Sequence, residues 1–229
     1  MSRFRKPATT STGVPLPKQW ADAVVIPKRP SLAPDFSSAN LALIELLRRG
    51  DRVAIGALYD HFHPMVERTL VRIVGSESEL PDLVHETFIS AIRSLSSVRD
   101  PQALPVWIMR VAVRTAADWL RRHGRRRWLI LRQPPPDQAS SLTEMDVAGA
   151  EAVRETYRVL GQLPIDERIA FSLRFIDGRE LVEVAAACGC SLATAKRRLG
   201  RAEIMFVKLA RQSAALREWV DEGERWGRS

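Results

Sequence analysis

The stretch "EVAAACGCSLATAKRRLGRAE", Glu183 to Glu203, decides how the chain is read. A short alanine-rich segment, a glycine at Gly189 and a longer cationic segment follow one another without a break. Ser191 is well placed to cap the second segment as a helix, because a serine oxygen accepts from the free N–H groups of a first turn. On a 3.6-residue period Leu192, Ala195, Leu199, Ala202 and Phe206 share one face. Thr194, Arg197, Arg198 and Arg201 share another, at spacings i, i+3, i+4 and i+7. Ala185, Ala186 and Ala187 are small enough to let two helices approach. This is the grammar of a helix-turn-helix, in which one helix braces and the second offers a polar face to the major groove. Arginine can read guanine edges with two hydrogen bonds, while Lys196 and Thr194 suit phosphates. The plain alternative is a solvated cationic face of a helical bundle.

Outward from that stretch, everything reads as helix. The chain has 229 residues, with 35 Lys plus Arg against 27 Asp plus Glu and a formal charge of +8. That balance suits an anionic polymer without proving one. "SSANLALIELLRRGD" begins with capping serines, carries Leu43, Leu46 and Leu47 at helical spacing, and ends at Gly50. Asp51 caps "RVAIGALYDHF", with Ile55, Leu58, Tyr59 and Phe62 in a stripe, and Pro64 is expected to open a separate helix. Ser76 and Glu79 have capping-box spacing ahead of "LPDLVHETFISAIRSL". After a break at "SSVRDPQALP", "VWIMRVAVRTAADWLRRHGRRR" is helical up to Gly124 and the arginines behind it. No stretch alternates as a strand would. The expected fold is therefore all-α, with two helical domains. Residues 1–36, rich in proline, are expected to be a disordered basic extension, and 37–127 a first helical domain. Residues 128–150, with "QPPPDQASS", are expected to be a flexible linker, 151–212 a second domain, and 213–229 a tail.

Other chemistries find little footing. His61, His63, His85 and His123 are scattered, and Cys188–Gly189–Cys190 lacks a His or Cys partner at zinc spacing. Small packing and turn chemistry account for the Cys-X-Cys more readily than redox sensing does. No phosphate-binding glycine loop or nucleophile elbow is present, so neither an enzyme nor a cofactor is expected. No apolar run approaches the roughly 18 residues needed to span a bilayer, and the N-terminus lacks the apolar core of a secretory signal. A cytoplasmic protein without membrane insertion is expected.

Taken in order, "RRGDRVAIGALYDHF", "DLVHETF", the Trp107–Arg110 stretch, "LPIDERIAFSLRFIDG" and "EVAAACGCSLATAKRRLGRA" resemble the two-domain sigma factors of bacterial RNA polymerase. The resemblance is to the compact extracytoplasmic-function type, which keeps regions two and four. It covers about 40–127 and 151–210. It implies a transcription initiation factor that carries no catalysis of its own. Region two would bind core polymerase at the β′ clamp helices and open the minus-ten element. Region four would lie near the β flap and read the minus-thirty-five element. It further implies an anti-sigma partner. The core-binding residues it implies are Asp82, His85, Glu86 and Arg93. The DNA-binding residues are Arg110, Arg114 and Arg121 in region two, with the loop about Ser96–Leu104, and Thr194, Lys196, Arg197, Arg198 and Arg201 in region four. The stretch from Arg110 to Arg127 holds seven arginines against the single acid Asp118, as a path for opened DNA would require. Trp107 and Trp119 are interleaved there, and core packing is the commoner use of such residues. The chain departs from the family pattern at Arg114, where asparagine is usual, at Leu181 and Val182, and in the proline-rich loop. Those departures bear on promoter sequence. Two other readings share the residues: a free-standing helix-turn-helix regulator acting as a dimer, and a sigma-like interaction protein that no longer binds DNA.

Overall fold

The computed structural model describes residues 37–75, 78–98, 100–130 and 147–221. Among them all regular structure is helical. The expected disorder of 1–36 lies outside the described residues.

The first unit is built from four helices. α1 (Ser37–Arg48) turns at Gly50 into α2 (Arg52–Val74). Asp51 caps α2, its carboxylate accepting from Val53 N at 2.8 Å and Ala54 N at 3.2 Å. α2 does not restart at Pro64, contrary to the expectation. The proline lies within it, and Leu58, Phe62, Val66 and Leu70 form one buried stripe across both halves. A helix-interior proline costs about 3 kcal/mol, which burial of four large side chains at about 1.5–3 kcal/mol each outweighs. α3 (Leu80–Ser94) starts later than the capping-box reading required. Glu79 is its N-cap, and Pro81 falls in the first turn, where no hydrogen bond is lost. Leu83, Val84, Thr87, Phe88 and Ala91 are buried on its inner face. Two 3₁₀ turns, Leu95–Ser97 and Pro101–Ala103, replace the expected open loop. Arg48 ties that loop to α1 by donating to Val98 O at 2.7 Å. α4 (Leu104–Ile130) runs through Gly124 instead of ending there. Its Ile108, Met109, Ala112 and Ala116 pack against α2 and α3.

The second unit begins with α5 (Val147–Leu160), so helix extends into both ends of the 128–150 stretch read as linker. Residues 131–146 lie outside the described residues. α6 (Ile165–Phe171) continues into a π turn, Ser172–Ile176, closed by Asp177 N donating to Ser172 O at 2.8 Å. α7 (Leu181–Ala187) and α8 (Leu192–Ala210) follow. Phe171 stacks on Phe206 at 4.5 Å and tilts against Phe175 at 4.7 Å, which makes the aromatic centre of the core. The tail read at 213–229 instead opens with α9 (Ala214–Asp221). Leu216 and Val220, one turn apart, are fully buried, and Ser213 Oγ donates to Glu155 at 2.9 Å to fix the helix on α5.

The two units share one continuous apolar core, into which a buried polar seam is set. Helix ends leave carbonyls without intrahelical partners. The last turn of α2 is served from the other unit. Arg168 of α6, buried, donates to Ile73 O and Val74 O, each at 2.9 Å through Nη2, with Nε also reaching Ile73 O at 3.1 Å. In return Arg72 of α2 donates to Ile176 O at the end of the π turn and lies 3.5 Å from Asp177. Burial holds the Arg72 pKa below its ordinary value, and Asp177 offsets part of that. Tyr157 of α5 donates its hydroxyl to Arg72 O at 3.3 Å, and its ring covers Gly75, the left-handed residue that ends α2 at φ 69°.

Burial pushes the Tyr157 phenol up to about 12. The folded pKa exceeds the ordinary value of 10, so the seam holds only the neutral phenol. Its contribution is complete below pH 10 and declines as the pH rises toward 12. Tyr157→Phe should therefore flatten the alkaline limb of a stability-versus-pH curve. Identical alkaline limbs for the two proteins would refute the assignment.

Candidate nucleic-acid interface

α7 ends in a Schellman motif. Cys190 N donates to Ala185 O at 3.0 Å and Gly189 N to Ala186 O at 3.2 Å, with Gly189 at φ 63°. One residue later Ser191 starts α8, its hydroxyl accepting from Thr194 N at 3.2 Å. Stop signal and start signal are nearly adjacent, so the crossing of the two helices is fixed by local chemistry. Ala195, Leu199, Ala202, Phe206 and Ala210 form the buried stripe. Leu192, expected in that stripe, stands 42% exposed in the first turn.

The cations do not form one equivalent set. Arg197 lies opposite the buried stripe and, with Lys196, makes no ion pair among the described residues. Arg201 is exposed and reaches Glu167 at 3.0 Å. Arg198, grouped by its spacing with Arg197 and Arg201 on the polar face, sits on the flank beside α6, where Asp166 holds its guanidinium. Only 23% of its side chain is exposed. Thr194 is half-buried, its hydroxyl shared with Ser191 at 2.9 Å. The centre of the outward face is therefore Arg197. Asp166 and Glu167, the two acids in the first turn of α6, were not singled out by sequence reasoning. Their adjacency opposite an i, i+3 pair of arginines was the available signal.

On the first unit, Asp82, His85, Glu86 and Arg93 all stand exposed on one side of α3, opposite its buried face. Arg122 reaches Glu86 from α4 at 3.2 Å. Arg110, Arg114 and Arg121 are exposed on α4 at spacings of one and then two turns. Arg110 Nε donates to Ala186 O of α7 at 3.2 Å, and Arg121 pairs with Asp118 at 2.6 Å. Trp119 is buried and stacks on His123 at 4.6 Å, while Trp107 is half-buried against the core. Neither is a stacking platform in this arrangement, in agreement with the commoner use of tryptophan.

The arginine face of α4 is exposed but is overlooked by the second unit. It meets the helix-turn-helix across a half-open cleft of about 400 Å³ that Arg198, Asp166 and Cys188 also line. Burial raises the Cys188 thiol to about 12, so it is protonated at neutral pH and a poor nucleophile. Among the described residues no three His, Cys, Asp or Glu side chains cluster as a metal site would require. No helix there is long and apolar enough to cross a membrane.

The model of sigma-70 region 2 matches residues 58–126, and that of sigma-70 region 4 matches 154–204. Over 176 residues the chain is 31% identical to the ECF RNA polymerase sigma-E factor of Escherichia coli K12, covering 70% of this chain and 88% of that protein. The sigma-E factor of Haemophilus influenzae is 32% identical over 174 residues, covering 72% and 92%. The chain is an ECF sigma factor of the sigma-70 family. A solved structure of CnrH, in complex with the cytosolic domain of CnrY, shares the fold with TM-score 0.52 and 22% identity, over 77% of this chain and all of that one. As a sigma factor the chain acts in transcription initiation and is not an enzyme. Region 2 of this sigma factor is α2 to α4, and region 4 runs from α5 into α8. α1 precedes the first matched stretch and α9 follows the second.

Proposed function

We propose that this sigma factor binds core RNA polymerase through the exposed side of α3, with Asp82, His85, Glu86 and Arg93 against the β′ clamp helices. It then directs the enzyme to promoters whose minus-thirty-five element α8 reads, with region 4 near the β flap. Arg110, Arg114 and Arg121 guide the opened minus-ten strand. Arg197, uncommitted at the centre of the outward face of a helix whose start and tilt are fixed by Ser191 and Gly189, is the observation that supports the reading most. Arg201 and Lys196 flank it, and Thr194, near the helix N-terminus, meets phosphate. Arg198 reaches DNA only once Asp166 releases it. The arginines of α4, though exposed, face the cleft toward α8, so the units part before region 2 engages a promoter. An anti-sigma partner that keeps these surfaces covered belongs to the same proposal, as does a cytoplasmic location beside the polymerase.

Asp82→Arg decides between this reading and a free-standing regulator. The residue is exposed, so helicity and melting should be nearly unchanged. Retention on core polymerase in a pull-down should fall sharply. A variant that holds core enzyme as well as wild type removes the polymerase reading.

The groove reading makes a different demand. Arg197→Ala should cost about 1–3 kcal/mol at a selected upstream element and relax preference at one or two base pairs. Arg198→Ala should change base preference less, because its guanidinium is tied to Asp166. Binding of the full chain, measured across base variants and salt concentrations, checks both. Equal and sequence-blind losses would reduce α8 to a solvated face.

A further inference from the structure

The cleft between α4 and the helix-turn-helix carries an inference that does not rest on polymerase or promoter. Four arginines, Arg110, Arg114, Arg121 and Arg198, line it against one acid, Asp166. Three of them stand along about three turns of one helix, and the fourth lines the cleft from α8. Much of their donor capacity is unspent. Arg114 makes no hydrogen bond or ion pair among the described residues, and Arg110 commits only Nε, to Ala186 O. Arg121 is held only by an exposed pair with Asp118, of the kind worth little in water. Like charges gathered between two packed units repel one another, and the repulsion opposes closure. An anion in the cleft reverses the sign of that contribution. At about 400 Å³ the space suits a few linked phosphates. It is too small for a duplex, which would have to enter between the units. Val113, Ala117 and Ile169 give the cleft an apolar part.

We infer that this cleft is a binding site for a small polyphosphate anion, which bridges α4 to α8 and stabilises the closed arrangement of the two units. Guanidinium forks match phosphate oxygens in pairs, and charge-assisted bonds of this kind are about twice as strong as neutral ones. The shared chemistry is a run of vicinal phosphates, whether free or attached to a nucleoside. Occupancy would also withhold Arg110 and Arg114 from DNA.

The test uses the full chain and calorimetric titration with inorganic tripolyphosphate, ATP, adenosine and sulfate at matched ionic strength. Tripolyphosphate should bind saturably at one equivalent per chain and raise the melting midpoint. Adenosine should not bind. ATP binding as tightly as tripolyphosphate assigns the site to the phosphate chain alone, and tighter binding assigns it to a nucleotide. Arg114→Gln should weaken binding about tenfold, since one charge-assisted contact is lost. The exposed and remote Arg52→Gln should leave binding unchanged. Because the anion bridges two units, Arg168→Leu, which removes the caps on α2, should weaken it as well. Three results overturn the inference: sulfate acting as well as tripolyphosphate, Arg114→Gln matching Arg52→Gln, or undiminished binding in Arg168→Leu. The last would mean that the anion sits on the open face of α4 alone.

Discussion

Arg168→Leu should open the molecule more than it unfolds it. Leucine fills most of the volume but donates nothing, so Ile73 O and Val74 O lose their buried partners. Each orphaned carbonyl costs about 1–3 kcal/mol while it stays buried. Relief is close by, because parting the units lets water reach both. Recovery of the desolvation cost of one guanidinium offsets only part of the loss, since its acceptors remain. The expected observations are a larger radius of gyration in solution scattering, a lower melting midpoint, and a less cooperative transition as the core shared by the two units comes apart. Arg168→Lys should fall between, because one ammonium cannot reproduce a fork that serves two carbonyls. The opened variant should also take up single-stranded DNA on α4 more readily than wild type. A scattering profile identical to wild type would show that the buried bonds do not hold the units together.

Gly75→Ala should be as damaging for a change of one methyl group. Two costs act at once. At φ 69° a side chain is strained by about 1–2 kcal/mol. The added Cβ would also lie 2.2 Å from Cδ1 of Tyr157 and 2.5 Å from Cγ, so the whole ring must move. These are the stiff inner atoms of the ring, not the end of a pliable chain. Displacing them breaks the bond from the Tyr157 hydroxyl to Arg72 O. Together the two effects should lower stability by about 2–4 kcal/mol. A double-mutant cycle separates them. In a Tyr157→Ala background, Gly75→Ala should cost the backbone strain alone. If the cost is the same in both backgrounds, the ring contact contributes nothing.

What was legible in the sequence follows from how local the governing physics is. The cap at Asp51, the serine at Ser191, the turn at Gly189 and the stripe from Ala195 to Phe206 all act within a few residues, and each stands where the sequence put it. Pro64 and Gly124 mislead for the opposite reason. Proline and glycine are strong local stop signals, but burial of side chains on both sides of Pro64 overrides one of them at a distance. α9 escaped notice because two apolar residues a turn apart, Leu216 and Val220, are a weak pattern until α5 is there to receive them. Arg168 was the hardest. It follows Ile165 by three positions and precedes Ile169 on the helical period, which marks it as inward, yet charge argues for the surface. Its acceptors lie 94 and 95 positions away in sequence, beyond the reach of any local rule. The same holds for Arg198, whose place on the flank is set by Asp166 across 32 positions.

The seam between the units has an asymmetry that bears on how the protein can drift. Its donors are side chains, Arg72, Arg168 and Tyr157, while the acceptors at Ile73, Val74, Ile176 and the carbonyl of Arg72 are main chain. A main-chain carbonyl survives every substitution at its own position. Half of each bond is thereby exempt from point mutation, and changes at Ile73, Val74 or Ile176 can alter fit without deleting a partner. The donor half of these hydrogen bonds is therefore concentrated in three codons. A lineage could loosen the pair in a single step at any of them, while the carbonyls that accept stay in place for a donor to return.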